Sequence, residues 1–255
     1  MPDSMTVKPV VAVVQARMGS TRLPGKVLKL IAGKPLLGYL LERLERAVSL
    51  DAIVVATSES DADSPLAKYC HEQGIACFRG SETNVLERFY KTAQFHHAEV
   101  VVRICGDSPL VDPEMVDELV NEFNSDVAQL DYLTNTLHQT CPLGTNIEVF
   151  SFIALAKAFA EADTKYQQEH VTPYFYQNPG VFRIREKHYE PDNSRFRLTV
   201  DTPEDLSLIE NIITAMAGRN PDMPLQSILA FLEANPDLLK INEHVQQNRI
   251  VYTND

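Results

Sequence analysis

The chain has 255 residues, of which 44% are hydrophobic and 23% charged, a composition that buries a proper globular core. Its 23 Lys and Arg stand against 35 Asp and Glu, a net charge of −12, so the molecule as a whole repels nucleic acid and anionic membrane surfaces. Neither is an expected partner, and an anion such as phosphate has to be held by a local basic cluster against that field.

The N-terminal "MPDSMTVKPVVAVVQ" lacks the basic region, long apolar region and cleavage site of a signal peptide. It reads as a short disordered lead into a strand, and no apolar stretch reaches the roughly 18 residues that span a bilayer. "VVAVVQ" (10–15) is a continuous β-branched run suited to a parallel strand buried on both faces. After a basic loop, residues 34–48 carry apolar side chains at Leu37, Leu40, Leu41, Leu44 and Val48, a helical stripe with Pro35 near its first turn. "AIVVAT" (52–57) predicts a second strand, 64–74 a helix stopped by Gly74, and "IACF" (75–78) a third strand. A helix over 84–97, a strand over 99–105 ending in "GDSPLVD", and a helix from Pro113 follow. His96-His97 closes its helix, where cationic side chains suit the dipole better than a metal. Repeated βα units with short loops imply right-handed crossovers and a parallel sheet, with ligands outside the carboxyl ends of its strands.

The alternation loosens after residue 130. "DYLTNT" and "TNIEVF" read as strands, "SFIALAKAFAEA" as a helix capped by Ser151, "EHVTPYFYQN" as a helical segment, and "FRIRE" and "FRLTV" as later strands. "DTPEDLSLIENIITAMA" has a helix start, with Thr202 as N-cap, Pro203 first and Asp205 third. The expected organisation is a single domain over 1–255, with a small inserted β-rich lobe at about 131–195 and a helical tail at about 221–255. Cys70, Cys77, Cys105 and Cys141 form no CxxC pair and read as reduced thiols of a cytoplasmic protein.

The basic loop, "QARMGSTRLPGKVL" (15–28), is the first candidate site. It fails as a Walker A motif, because five residues separate Gly19 from Gly25 and Val27 stands where Ser or Thr is required. It fails as a Rossmann fingerprint too, having no first pair of glycines. Its composition still suits phosphate. Gly19 and Gly25 let backbone amides approach an anion, Ser20 and Thr21 can donate, and Arg17, Arg22 and Lys26 supply charge-assisted bonds. On composition alone an ordinary solvated loop remains the alternative. Asp107, past a buried strand, and Asp201, before a capped helix, are each ordinary turn residues taken singly. As a pair they meet the minimum for magnesium, which prefers one or two carboxylates together with phosphate oxygens and waters.

The order of these blocks is more specific than any one of them. "VVQARMGSTRLPGKVL", "IVVATS", "FRGSETNVLERFY", "VVRICGDSPLVDPEMVD", "EHVTPYFY" and "FRLTVDTPEDLSLIE" resemble, in order, the cytidylyltransferases related to spore-coat polysaccharide biosynthesis proteins. These are relatives of the enzymes that make CMP-sialic acid and CMP-Kdo, and the resemblance covers roughly residues 9 to 215. It implies a Rossmann-like α/β fold of the GT-A and nucleotide-diphospho-sugar transferase type, with a mixed, mainly parallel sheet flanked by helices. It also implies transfer of CMP from CTP to an acidic sugar with release of pyrophosphate, Mg2+ as cofactor, and a homodimer formed through the inserted lobe.

By the same resemblance Asp107 and Asp201 are the metal pair, and Arg17 and Lys26 join them as catalytic groups, Lys26 on the α-phosphate oxygens. The nucleotide is expected against Gln15, Ala16, Arg17, Gly19, Ser20, Arg22, Lys26, Arg79, Ser81 and Arg103, with a salt-bridged strand-end role as the alternative for Arg103. Asn135, Gly144, Glu148 and His170 are expected to face the acceptor sugar, with a structural role as the alternative for His170. Thr145-Asn146 stands where relatives often carry an aspartate after the glycine turn, which leaves the acceptor open. Three rival readings stay open: another NTP, a catalytically silent sugar-nucleotide-binding protein, or a GT-A-type glycosyltransferase. "GDSP" is not a D-x-D, and that counts against the last.

Overall fold

The computed structural model describes residues 8–125, 129–216 and 222–246. The expected N-terminal lead (1–7) and the last part of the expected tail (247–255) lie outside the described residues.

The apolar run 10–15 forms β1 (Val10–Gln15), the central strand of a seven-stranded sheet. Alternate β1 side chains feed two separate cores. Val10, Ala12 and Val14 face one cluster and Val11 and Val13 the other, so the strand is apolar throughout because both its faces are covered. A two-residue pair, β2 (Leu30–Ile31) and β3 (Lys34–Pro35), precedes α1 (Leu36–Leu44). Neither short strand was expected from the sequence, and Pro35, which ends β3, is the N-cap of α1, next to its first turn as expected.

β4 (Ala52–Ser58), α2 (Ser64–Glu72), β5 (Ala76–Gly80), α3 (Val85–Phe95), β6 (Val100–Cys105) and α4 (Pro113–Ser125) follow the predicted alternation. Next come β7 (Tyr132–Thr134), β8 (Glu148–Ser151), α5 (Phe152–Glu161), α6 (Lys165–His170), α7 (Pro173–Gln177) and β9 (Ile184–Glu186). The described chain closes with α8 (Pro203–Met216), α9 (Leu225–Ala234) and α10 (Pro236–Leu239).

The sheet order is β5-β4-β1-β6-β8-β7-β9, all parallel except β8, which runs antiparallel to both its neighbours. This is the mixed, mainly parallel sheet that the sequence implied, with α1, α4, α8 and α9 on one face and α3, α5 and α7 on the other. The expected lobe at 131–195 supplies β7, β8 and β9 to the edge of this same sheet. From β1 the chain winds outward through β4 to β5, then returns to the other side of β1 as β6. The strand order therefore reverses between β1 and β6, and in open α/β sheets ligands bind beyond the carboxyl ends of the strands at such a point.

Two local readings change. "FRLTV" is no strand: its one bridge pairs Arg197 with Leu143, and its backbone bonds go to loops (Leu198 N–H to Leu143 O at 2.7 Å, Val200 N–H to Asp107 O at 2.8 Å). Its β-branched and apolar side chains reflect burial, not a ladder. "EHVTPYFYQN" splits into α6 and α7, because Val171 takes a positive φ of 71° and Pro173 opens a new helix.

Candidate active site

The loop after β1 and the turn after β6 touch because of one small residue. A Cβ on Gly106 would lie 2.8 Å from Ala16 Cβ and 3.0 Å from Gln15 O, and Gly106 N–H donates to that same carbonyl at 2.8 Å. Asp107 is thereby set beside the basic loop. Its backbone carbonyl then accepts from Val200 N–H at 2.8 Å and from the Thr199 hydroxyl at 3.2 Å, which brings Asp201 alongside. Gly144, at φ 98°, lets the β7–β8 loop lie flat on the same segment, where a Cβ would come within 2.5 Å of Thr199 N.

The convergence point is Lys26. Its ammonium sits 2.6 Å from Asp107 Oδ2 and 2.8 Å from Asp201 Oδ1. Arg22 and Arg197 approach the other Asp201 oxygen at 3.2 and 2.9 Å. Burial by itself would lower the Lys26 pKa, but the carboxylates of Asp107 and Asp201 outweigh it and hold it above the ordinary lysine value. For Asp201, burial alone would raise the pKa, whereas Lys26, Arg22 and Arg197 hold it below the carboxylate range.

Three residues that the sequence reading did not assign to the site, Arg197, Asp205 and Asp63, build the support. Arg197 is clamped by Asp205 (Nε to Oδ1 at 2.8 Å, Nη2 to Oδ2 at 2.9 Å), and Asp205 is fully buried. Asp205 also accepts from the backbone N–H of Asp201 at 3.0 Å and of Thr202 at 3.1 Å, and from Asn242 Nδ2 at 2.9 Å. The signal for this was the spacing 197, 201, 205, four residues apart each time. Asp63, also buried, receives Met18 N–H at 2.6 Å on one oxygen and Ser58 on the other, fixing the start of the basic loop to the end of β4. Nothing in the local pattern of "ESDADSP" marks it as such.

Burial would raise the Asp205 pKa, but its hydrogen bonds from Arg197 and Asn242 hold it low. Asp201 and Asp205 thus contribute stability that is present above the ordinary carboxylate range and is lost as pH falls through their depressed values. Asp205→Asn turns an amide N–H toward these donors and leaves Arg197 with Asp201 alone as its carboxylate partner. The expected cost is about 3 kcal/mol of folding stability or more. Denaturant unfolding measures it, and an unchanged midpoint would show that the clamp carries little.

The remaining candidates divide. Arg17, Gly19 and Arg22 are exposed on the loop after β1, and Ser20 is half-buried with its hydroxyl toward Leu23 N–H at 3.4 Å. Gln15 ends β1 and Ala16 follows it, Gln15 accepting from Arg103 at 3.3 Å. Arg103 and Glu148, expected on nucleotide and acceptor respectively, are partners in register on β6 and β8 and form an ion pair, with Tyr132 OH on the second Glu148 oxygen at 2.5 Å. Arg79 is tied to the carbonyls of Ser58 and Ser60 at 3.0 and 2.8 Å, and Ser81 accepts from Asn84 N–H at 3.0 Å ahead of α3. Asn135 is buried and braces the β7–β8 loop, through Thr145 O at 3.0 Å and Ile147 N–H at 2.8 Å. His170 ends α6 against Tyr166, ring centroids 4.7 Å apart, and burial lowers its pKa, with Arg103 acting in the same direction.

The basic loop, the aspartate after β6 and the aspartate before α8 thus meet at one ammonium. A family model for cytidylyltransferases matches residues 11–254, nearly the whole chain. The chain belongs to the cytidylyltransferase family. It is 34% identical over 234 residues to the spore coat polysaccharide biosynthesis protein SpsF of Bacillus subtilis, a match covering 88% of this chain and 94% of that protein. A 3-deoxy-manno-octulosonate cytidylyltransferase of Trichlorobacter lovleyi is 35% identical over 117 residues, 45% of this chain and 44% of its own. Among solved structures, a cytidylyltransferase from Leptospira borgpetersenii superposes with a TM-score of 0.86 at 31% identity, covering 91% of this chain and 97% of that one. Among the described residues no helix is long and apolar enough to cross a membrane.

Proposed function

We propose that the chain, as one nucleotidyltransferase domain, transfers CMP from CTP to an acidic sugar and releases pyrophosphate, with Mg2+ as cofactor, for surface polysaccharide synthesis in the cytoplasm. The single observation that carries this reading is the Lys26 ammonium held between Asp107 and Asp201 beside a loop bearing Arg17 and Arg22. Family membership and the match to a 3-deoxy-manno-octulosonate cytidylyltransferase support CTP as the donor and a sugar acid as the acceptor.

The two carboxylates fit a hard divalent ion, because oxygens from both already meet at one cation, 2.6 and 2.8 Å from it. When bound, such an ion supplies positive charge to the phosphate oxygens and lowers the pKa of a coordinated hydroxyl. Lys26 then leaves the carboxylates for the α-phosphate, where charge develops, while Arg17 and Arg22 neutralise the rest of the triphosphate and the departing pyrophosphate. The acceptor hydroxyl gives its proton to water, its oxygen bonds to the α-phosphorus, and the bond from that phosphorus to the α–β bridging oxygen breaks, pyrophosphate leaving with the electron pair. Positioning and fixed charge do most of this work.

Gln15, Ala16, Gly19, Ser20, Arg79 and Ser81 border the nucleotide, the last two by fixing the loops around it. Glu148 and His170 face the acceptor, Arg103 bracing Glu148 from the nucleotide side, while Asn135 and Gly144 shape the loop that encloses it. Residues 131–195 also provide the homodimer surface in this reading. The test is a pyrophosphate-release screen of the four NTPs with Mg2+ against nonulosonic acids, Kdo and simpler sugars. Release with CTP and an acid sugar is the expected result. Release with another NTP alone would overturn the donor, and no release with any pair would favour a sugar-nucleotide-binding protein.

A further inference from the structure

A second cluster of ligating side chains lies away from the carboxylate pair, at the outer edge of the sheet. β7 and β9 pair in parallel with Thr134 opposite Glu186, and the pairing runs on past the strand ends through Lys187 N–H to Thr134 O and Tyr189 N–H to Thr140 Oγ1, both at 2.8 Å. This ladder brings His138, in the β7–β8 loop, beside two side chains about fifty residues later. Extended backbone alternates its side chains. Arg185 and Lys187 turn to Glu118 and Glu122 of α4, and Glu186 and His188 turn the other way, toward His138. The neighbouring positive charges that would repel an ion are therefore paired on the opposite face.

Glu186 is pre-set by its backbone contact. One carboxylate oxygen accepts the N–H of His138, and the other lies 2.6 Å from His138 Nδ1 and 3.6 Å from His188 Nε2. One ligand atom from each residue falls within 4.8 Å of the others. Around a tetrahedral ion with bonds of about 2.0–2.1 Å, neighbouring ligand atoms stand roughly 3.3 Å apart. Small rotations of two exposed imidazoles reach that spacing, since the side chains of His138 and His188 are 79% and 53% exposed.

We propose that His138, Glu186 and His188 bind one divalent ion of the borderline class, zinc, nickel or cobalt, as a three-ligand site with open positions for water or an anion. Two imidazoles and one carboxylate suit these ions and not magnesium, which takes oxygen ligands. The ion ties β9 to the β7–β8 loop. That loop also carries Gly144 against Thr199, and Leu143 bonds to Phe196 and Leu198, so the clip stiffens the segment leading to Arg197 and Asp201.

The test needs no turnover and is independent of the transferase reading. Tag-free, chelator-stripped full-length protein is held in millimolar Mg2+ to occupy hard oxygen sites, then titrated with Zn2+ or Ni2+ by calorimetry. One ion per chain is expected, with a thermal midpoint that climbs with ion concentration. His138→Ala and His188→Ala should each weaken binding by at least about tenfold, and Asp107→Asn should leave it unchanged. No saturable binding under these conditions, or equal affinity in both histidine variants and the native chain, would overturn the proposal.

Discussion

Asp107→Asn is expected to lower pyrophosphate release from CTP by roughly 10³-fold or more while leaving the chain folded. The activity loss follows from removing one of two carboxylate oxygens that converge on the cation position, since a neutral amide oxygen neither holds a divalent ion as well nor balances Lys26. The fold survives because Asp107 organises the site through its backbone. Its carbonyl holds Val200 N–H and the Thr199 hydroxyl, and the substitution touches neither bond. Lys26 also keeps its bond to Asp201 at 2.8 Å. Steady-state assays beside thermal unfolding separate the two effects. Turnover within about tenfold of the native chain would mean that Asp107 is not part of the cation site.

Lys26→Met should move two quantities in opposite directions. In the absence of nucleotide the Lys26 ammonium occupies the position between the carboxylates, and its raised pKa keeps it charged across the physiological range. A divalent ion must therefore displace it. Removing the charge should tighten binding of Mg2+ or Mn2+ to the free protein by about tenfold, the equivalent of about 1.4 kcal/mol. The same substitution should lower the maximal rate by roughly 10²- to 10³-fold, because the α-phosphate loses a preorganised charged donor. Calorimetry with the ion alone and single-turnover kinetics read the two arms. A loss of both ion affinity and rate would show Lys26 to be a structural brace for the carboxylates, not a group that exchanges them for phosphate.

Most of the architecture is written locally. The alternation of buried strands and amphipathic helices from Val10 to Phe123 depends on side-chain periodicity, which is a property of neighbouring residues. It failed where burial and strand character part company, as in "FRLTV", whose apolar side chains enter the core although its backbone bonds to loops. It failed again at Val171, where a positive φ divides a segment that reads as one helix.

The candidate site was legible as a set of charges, not as a set of contacts. Arg17, Arg22 and Lys26 stand out against a net charge of −12, and Asp107 and Asp201 stand out by their places after a buried run and before a helix cap. The sequence by itself determined the parallel-sheet class, the basic loop and the two carboxylates. Only the tertiary structure decided that Lys26 bridges aspartates 81 and 175 positions away. It likewise decided that Arg103 spends its charge on Glu148, and that Arg197 rests on a buried Asp205. Helices and strands are encoded in steps of two to four residues. Which strand lies next to which is set by how two apolar faces close around β1, and the placing of distant charges follows from that closure.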